Sequence, residues 1–274
     1  MRENPGTGAS AEPHRLLRRQ QARVPTLPEY LKQVRVQQKP KLSRRNAESK
    51  TGVSEHYIRD IETGQRQPSA HTIEQLIAGY QLIPPQARHV RELLAPPIDL
   101  TPTETLHSQV HRSQGLLDHM SILEDRGVLA AYVDPLLNVL LLNKHMLRAY
   151  PRLDEVGNVA PWIFGPYSRG VLTDRANEAD QVVALLKAVM GRHRNAPQTT
   201  HLLSRLRPNN DFNRIWTTRT RIAYGRETTD YLRWRDQITG ERFAASIYST
   251  DVEVPDVVLY LAFHKRDNDI RGDT

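Results

Sequence analysis

The first third of the chain repeats apolar residues at helical spacing. Its predicted helices cover residues 27–38, 43–50, 54–62, 73–80 and 84–94. The fourth of these shows the pattern most clearly, because Ile73, Leu76, Ile77 and Tyr80 recur at i, i+3, i+4 and i+7. Each helix therefore has one apolar face, and together they predict a small helical bundle.

Two of these helices are short and separated by a tight turn. Ser43 and Ser54 are suited to be their N-caps, because a serine hydroxyl can accept a hydrogen bond from a free amide of the first turn. Gly52 between them can adopt the left-handed backbone that such a turn needs. On the second helix Glu55, His56 and Arg59 face outward, whereas Ile58 faces inward. This arrangement is typical of a helix that enters the DNA major groove.

The pattern changes after residue 100. Apolar runs of strand length predict strands over residues 127–133, 138–142, 231–236, 242–248 and 257–264. Helical spacing predicts helices over residues 106–123, 144–149, 179–192 and 199–206. The turn residues Asp134 and Pro135 indicate that the first two strands form a hairpin. The chain is therefore predicted to be multidomain, an all-α helix-turn-helix bundle followed by an α+β, PAS-like domain.

Proline-rich and polar segments separate these regions. The predicted order is a disordered basic N-terminal arm, a DNA-binding domain, a Pro-rich linker, a sensor or dimerisation domain and a short tail. These occupy residues 1–25, 26–95, 96–105, 106–266 and 267–274.

Charge supports a nucleic-acid partner for the first region. Residues 1–95 contain 16 lysines and arginines against 9 acidic residues, whereas the remainder contains 22 of each. The whole formal charge of +7 therefore lies with the predicted DNA-binding region. Basic side chains that neutralise phosphates release counterions, and this release drives sequence-independent affinity.

Residues 42–82 resemble the lambda-repressor-like (Xre-type) helix-turn-helix family. The resemblance rests on Thr51-Gly52-Val53-Ser54, Tyr57-Ile58, Ile61-Glu62, Gly64 and Pro68-Ser69. Arg44 departs from the family, which usually has glutamine there, and Glu48 stands where a small residue usually packs. The residues expected to contact DNA are Arg44, Arg45, Ser54, Glu55, His56, Arg59, Thr63, Gln65 and Arg66.

Residues 106–264 resemble the MmyB-like ligand-binding domain of actinobacterial Xre-type regulators. The similar motifs are residues 128–134, Trp162-Ile163-Phe164-Gly165-Pro166 and Asp211-Phe212-Asn213-Arg214-Ile215-Trp216. The resemblance implies a PAS-like pocket for a fatty acid or a similar apolar molecule. Arg219 stands where the family usually has histidine, and an arginine can bind a carboxylate with two hydrogen bonds. The expected ligand-binding residues are Trp162, Phe164, Arg169, Trp216 and Arg219, although such aromatics often only fill a core.

Two functions of different class fit the sequence. In the first, a transcription regulator binds double-stranded DNA as a homodimer and senses an apolar or acyl-like ligand through its C-terminal domain. In the second, a DNA-bound scaffold uses that domain only to dimerise or to recruit a protein. The sequence contains no recognisable catalytic motif, metal-binding group or cofactor motif, so we expect a protein that is not an enzyme. It also contains no membrane-spanning run, and a DNA-binding protein must reach DNA, so we expect it to be cytoplasmic and nucleoid-associated. The absence of cysteine excludes disulfides and thiol chemistry.

Overall fold

The structure is a computed structural model that describes residues 22–227 and 229–266. Its N-terminal part is a bundle of five helices, as the apolar spacing predicts. They are α1 (Leu27–Gln37), α2 (Arg44–Thr51), α3 (Glu55–Glu62), α4 (Ala70–Gly79) and α5 (Pro84–Leu94). Both predicted caps form, because the Ser43 hydroxyl accepts from the Asn46 amide and the Ser54 hydroxyl accepts from the Tyr57 amide. Gly52 ends α2 at a φ of 71°, which is the left-handed turn expected there.

The C-terminal part contains eight further helices and five strands among the described residues. Its helices are α6 (Thr103–Arg112), α7 (Gln114–Asp125), α8 (Lys144–Ala149), α9 (Leu153–Val156), α10 (Val159–Phe164), α11 (Arg175–Arg192), α12 (Pro197–Leu206) and α13 (Asn210–Thr218). Its strands are β1 (Leu129–Val133), β2 (Val139–Leu142), β3 (Leu232–Arg235), β4 (Arg242–Asp251) and β5 (Val258–Arg266). The predicted fold class, a helical bundle followed by an α+β domain, is confirmed.

The strands form one antiparallel sheet in the order β2-β1-β5-β4-β3. Helices α6 and α7 cover one face of this sheet at β1 and β2, and we call this the outer face. Its buried residues include Leu106, Tyr132 and Leu259. The inner face packs against α8 to α11, around the buried Trp162 and Leu186. The sheet is therefore buried on both faces at its β1 side.

One predicted helix is divided in two. The apolar pattern predicts a single helix over residues 106–123, whereas the structure has α6 and α7 with a break at Ser113. Ser113 has an extended backbone with a ψ of 100°, and its hydroxyl accepts a hydrogen bond from the Leu116 amide. A serine in this position competes with the helix for its own backbone groups, and here it starts a new helix.

The two domains pack against each other. Ala188 of α11 and Ile222 lie in the same apolar cluster as Val90 and Leu93 of α5. The predicted linker at 96–105 lies against the C-terminal domain, since the Ile98 amide donates to the Arg192 carbonyl. Helix α6 begins within this linker, at Thr103.

The expected disordered arm is only partly described. Residues 1–21 lie outside the described part of the chain. Two of the next residues contact the C-terminal domain, because the Ala22 amide donates to Asn213 and the Trp216 indole donates to the Arg23 carbonyl. Ala22 and Arg23, which belong to the expected arm, thus have backbone partners in α13.

Candidate functional site

Helix α3 presents a polar surface outside the N-terminal bundle. Ile58 and Ile61 hold its inner side in the core, whereas Glu55, His56 and Arg59 are exposed. Asp60 is buried and lies 3.4 Å from both His56 and Arg59. Its carboxylate therefore orients two side chains that point to solvent, which is the arrangement expected of a helix that reads base edges.

The remaining predicted DNA-binding residues surround this helix. All but Arg44 are exposed, namely Arg45, Ser54, Thr63, Gln65 and Arg66. The Ser54 hydroxyl is engaged as the cap of α3, and Thr63 donates to the Arg59 carbonyl at 2.9 Å. Arg66 lies 3.8 Å from Asp60, so the loop after α3 shares the same buried carboxylate. The exposed residues of the predicted set belong to α2, to α3 and to the turns that flank α3.

Arg44 belongs to a buried ion-pair network. Its guanidinium contacts the Glu62 carboxylate at 2.8 Å, and Arg35 contacts the same carboxylate at 2.5 and 2.9 Å. Hydrogen bonding to Glu62 raises the pKa of Arg35. Glu62 therefore connects α1, α2 and α3 and fixes the position of the exposed helix. Sequence reasoning missed this role, since a glutamate at a helix end is usually exposed.

Glu48 holds the turn between α2 and α3. Its carboxylate accepts a hydrogen bond from the Glu55 amide at 3.0 Å. This amide is one of the free donors of the first turn of α3, and a negative charge there also stabilises the positive end of the helix dipole. The departure of Glu48 from the small residue usual in the family thus has a structural explanation.

A cavity of about 80 Å³ lies between the inner face of the sheet and α11. Its walls are mostly apolar. Lining residues from the sheet are Ala131, Val133, Leu232, Ile247, Ser249, Tyr260 and Ala262, and those from the helices include Met146, Tyr150, Val182 and Leu185. A cavity needs roughly 10–15 Å³ of such volume to hold one water molecule, so this cavity has room for several water-sized groups.

Polar groups lie at one part of this cavity. Glu178 and Arg226 line it and form a buried ion pair with two hydrogen bonds, one of them 2.9 Å long. Tyr150 and Tyr260 also line it, and burial raises the pKa of both phenols, that of Tyr260 to about 12. Within residues 22–227 and 229–266, neither phenol forms a side-chain hydrogen bond. The cavity therefore combines mostly apolar walls with a few hydrogen-bonding groups, which is the composition typical of small-molecule binding sites.

The residues predicted to bind the ligand lie elsewhere. The Trp162 indole donates to the Pro151 carbonyl, and Phe164 packs edge-on against Phe212 in the core. The Trp216 indole donates to the Arg23 carbonyl. Arg169 is exposed, and Arg219, whose side chain is 64% exposed, lies 3.7 Å from Asp180. None of the five lines the cavity between the sheet and α11.

Cavity residues carry a sequence signal that could have been used. In β5, Tyr260 and Ala262 alternate with Leu259 and Leu261, and this alternation assigns them to opposite faces of the sheet. Gln181, Val182 and Leu185 similarly share one face of α11. The predicted residues of α10, Trp162 and Phe164, point away from the cavity, whereas Val159 and Ile163 of the same helix line it.

The fold and the two sites define a class of protein: a helix-turn-helix DNA-binding domain joined to a domain with a small-molecule cavity. Comparison with known families supports both parts. Residues 15–90 match a helix-turn-helix domain family, and residues 116–260 match the ligand-binding domain of MmyB-like transcription regulators. The second match covers more than half of the chain, so the chain belongs to the MmyB-like transcription regulators.

A comparison with curated proteins found no match. The family assignment thus rests on the two domain matches, and both agree with the resemblances seen in the sequence. In the described part of the chain, no helix combines the length and the apolar character needed to cross a bilayer.

Proposed function

We propose that this transcription regulator binds a specific DNA sequence through α3 and senses an apolar ligand with one oxygen-bearing end group. The observation that carries the ligand proposal is the composition of the cavity, which has apolar walls and two unpaired tyrosine hydroxyls. Arg226 is already neutralised by Glu178. The hydroxyls of Tyr150 and Tyr260, which have no hydrogen-bond partner among the described residues, are therefore available as donors, together with the Ser249 hydroxyl in the cavity wall. A carboxyl, carbonyl or alcohol oxygen would satisfy them.

A fatty-acid-like molecule has the required chemistry. Its chain would cover the apolar walls, at about 0.8 kcal/mol for each methylene group removed from water. Its oxygen atoms would accept from the two tyrosines. The cavity of about 80 Å³ accommodates a short chain, so a longer chain requires the walls to separate.

The test is calorimetric titration of saturated fatty acids, from octanoate to hexadecanoate, into the wild type and Tyr260→Phe. Losing one neutral hydrogen bond should weaken binding about 2- to 10-fold. Tyr248→Phe is the matched control, because Tyr248 lies in the neighbouring strand but faces away from the cavity and is exposed. Absence of heat with every acid, or equal affinity for wild type and Tyr260→Phe, would contradict the proposal.

For DNA binding we propose a homodimer that forms through the outer face of the sheet. There Tyr248 and Phe263 are about half exposed, and their rings lie 5.9 Å apart. Lys265 lies on the same face towards one end, and Glu253 lies near Tyr132 towards the other. A twofold axis at the aromatic pair would bring Lys265 of one copy towards Glu253 of the other. A dimer would also match the two half-sites that paired helix-turn-helix domains read.

Sedimentation velocity tests this dimer. Phe263→Glu should shift the wild-type protein towards a monomer, whereas Ile238→Glu, at a residue that is 85% exposed on a turn, should not. A monomeric wild type would contradict the dimer. If it is monomeric and also binds no fatty acid, the exposed aromatic face favours the scaffold function, in which this surface recruits another protein. In either case we propose that the protein is cytoplasmic and associated with the nucleoid.

A further inference from the structure

A segment without helix or strand connects the ligand cavity to the DNA-binding domain. We call residues 219–226 the interdomain strap. Near its start, the Thr220 carbonyl accepts from the Tyr30 hydroxyl of α1 at 3.2 Å. Ile222 is only 2% exposed and lies within the apolar cluster of the N-terminal bundle. The Tyr224 hydroxyl contacts the Glu92 carboxylate of α5. Three successive parts of the strap therefore dock on the DNA-binding domain.

The other end of the strap belongs to the cavity. Gly225 and Arg226 line the cavity directly. The Gly225 carbonyl accepts from the Gln181 amide group at 2.9 Å, and Arg226 is held by Glu178. Gly225 directly follows Tyr224, which contacts α5, and lies three residues after the buried Ile222. A molecule that contacts Gly225 or Arg226 therefore touches the same short segment that holds the DNA-binding domain.

Helix α11 supports the strap between these ends. The Ala223 amide donates to the Ala184 carbonyl at 3.1 Å, and Lys187 donates to the Arg219 carbonyl. Because Lys187 is buried, desolvation lowers its pKa to about 8. Arg221 contacts Asp180 at 2.9 Å. The strap is thus fixed to the helix whose other residues, including Gln181, form one wall of the cavity.

We infer that the interdomain strap couples the ligand cavity to the DNA-binding domain. A ligand that displaces Gly225 or Arg226 changes how Thr220, Ile222 and Tyr224 dock, and with them the position of the DNA-binding bundle. This inference rests on the proposed ligand function of the cavity. Coupling requires that the ligand bind the docked and the undocked arrangement with different affinities, and its contact with the strap supplies this difference.

The experiment uses the full chain, a duplex that the protein selects from a random-sequence pool, and the saturated fatty acid that binds most tightly. Tyr30→Phe combined with Tyr224→Phe removes two docking hydroxyls and keeps both rings. Tyr224→Phe alone serves if the double variant is poorly folded. Tyr167→Phe combined with Tyr231→Phe is the matched control, because both tyrosines stack on arginines within the C-terminal part of the chain.

In the wild type, the fatty acid should change duplex affinity by about 5- to 150-fold. In the strap variant this factor should fall by about three- to tenfold, while the affinity for the fatty acid stays within about threefold of the wild type. The control variant should keep the wild-type factor. Hydrogen exchange of residues 219–226 should also change with the fatty acid in the wild type.

The outcomes separate the two proposals. If the fatty acid binds but duplex affinity does not respond in the wild type, or responds equally in the strap variant, the strap is not the coupling element and the ligand proposal stands. If no fatty acid of the series binds, the ligand proposal fails and the inference about the strap falls with it.

Discussion

His89 gives the sharpest test of how the two domains pack. Its ring is fully buried at the interface, 4.8 Å from the Tyr30 ring and close to Gly191 of α11. Both ring nitrogens are buried and have no hydrogen-bond partner within residues 22–227 and 229–266. Desolvation, together with the positive charges of Lys187 and Arg194, lowers the pKa of His89 from 6.5 to about 3. The folded protein therefore keeps this imidazole neutral in mild acid.

The sign of the pH effect follows from proton binding. Below pH 6.5 the unfolded chain protonates this imidazole, whereas the folded protein does so only near pH 3. The unfolded state thus binds more protons in this window, and the stability of the fold falls as the pH falls. The slope is about 1.4 kcal/mol per pH unit, so at about pH 5 the loss from His89 is about 2 kcal/mol.

The assay compares urea unfolding of the wild type and His89→Leu by circular dichroism near neutral pH and at about pH 5. His89→Leu should reduce the loss of unfolding free energy between the two conditions by about 2 kcal/mol. His71→Leu is the control, because it removes an exposed histidine of α4, and it should retain the wild-type pH dependence. If His89→Leu retains the full wild-type loss, the ring is not buried neutral at the interface and the reasoning is refuted.

Three further predictions follow from named contacts. Glu62→Ala should lower the unfolding free energy by about 3–5 kcal/mol in urea titration, because it leaves Arg35 buried without its partner; a loss below 1 kcal/mol would argue against the network. Gly191→Ala should lower the unfolding free energy by about 1–3 kcal/mol, since a Cβ there would lie 2.3 Å from the His89 ring. An unchanged unfolding free energy would mean that the His89 ring can move to make room. Arg59→Ala should weaken binding to the selected duplex by about 1–3 kcal/mol and to random duplex little, whereas equal losses on both would exclude base contact.

The helices of the DNA-binding domain were predictable because their signals are local. A serine cap, a left-handed glycine and an apolar stripe all act within a few residues, so Ser43, Ser54 and Gly52 were placed correctly. The same reasoning missed α10 and α13. The first is one turn and a half long, and the second, with Phe212 and Trp216, depends on burial against other elements. Short helices of this kind receive most of their stability from tertiary packing.

The cavity was harder to predict than the polar surface of α3. All the residues of α3 and its flanking turns come from one continuous stretch, whereas the cavity combines the inner face of the sheet, α8 to α11 and the end of the strap. Aromatic residues were expected to line it, yet Trp162 and Phe164 are fully engaged in the core. The size of both rings, the indole hydrogen bond of Trp162 and the contact of Phe164 with Phe212 make them better suited to rigid packing than to a wall that must yield to a ligand.

The proline-rich linker lies between the helical bundle and the α+β domain, but the bundle before it is not an independent unit. Val90 and Leu93 of α5 are covered by Ala188 and Ile222, which come from beyond residue 180. A fragment that ends at residue 95 would leave that apolar surface in water, at about 25 cal/mol for each Å² exposed. Local patterns cannot reveal such a contact, because each side resembles an ordinary amphipathic face. The DNA-binding domain is therefore stabilised by the domain that holds the cavity, and any ligand that alters this contact acts on both.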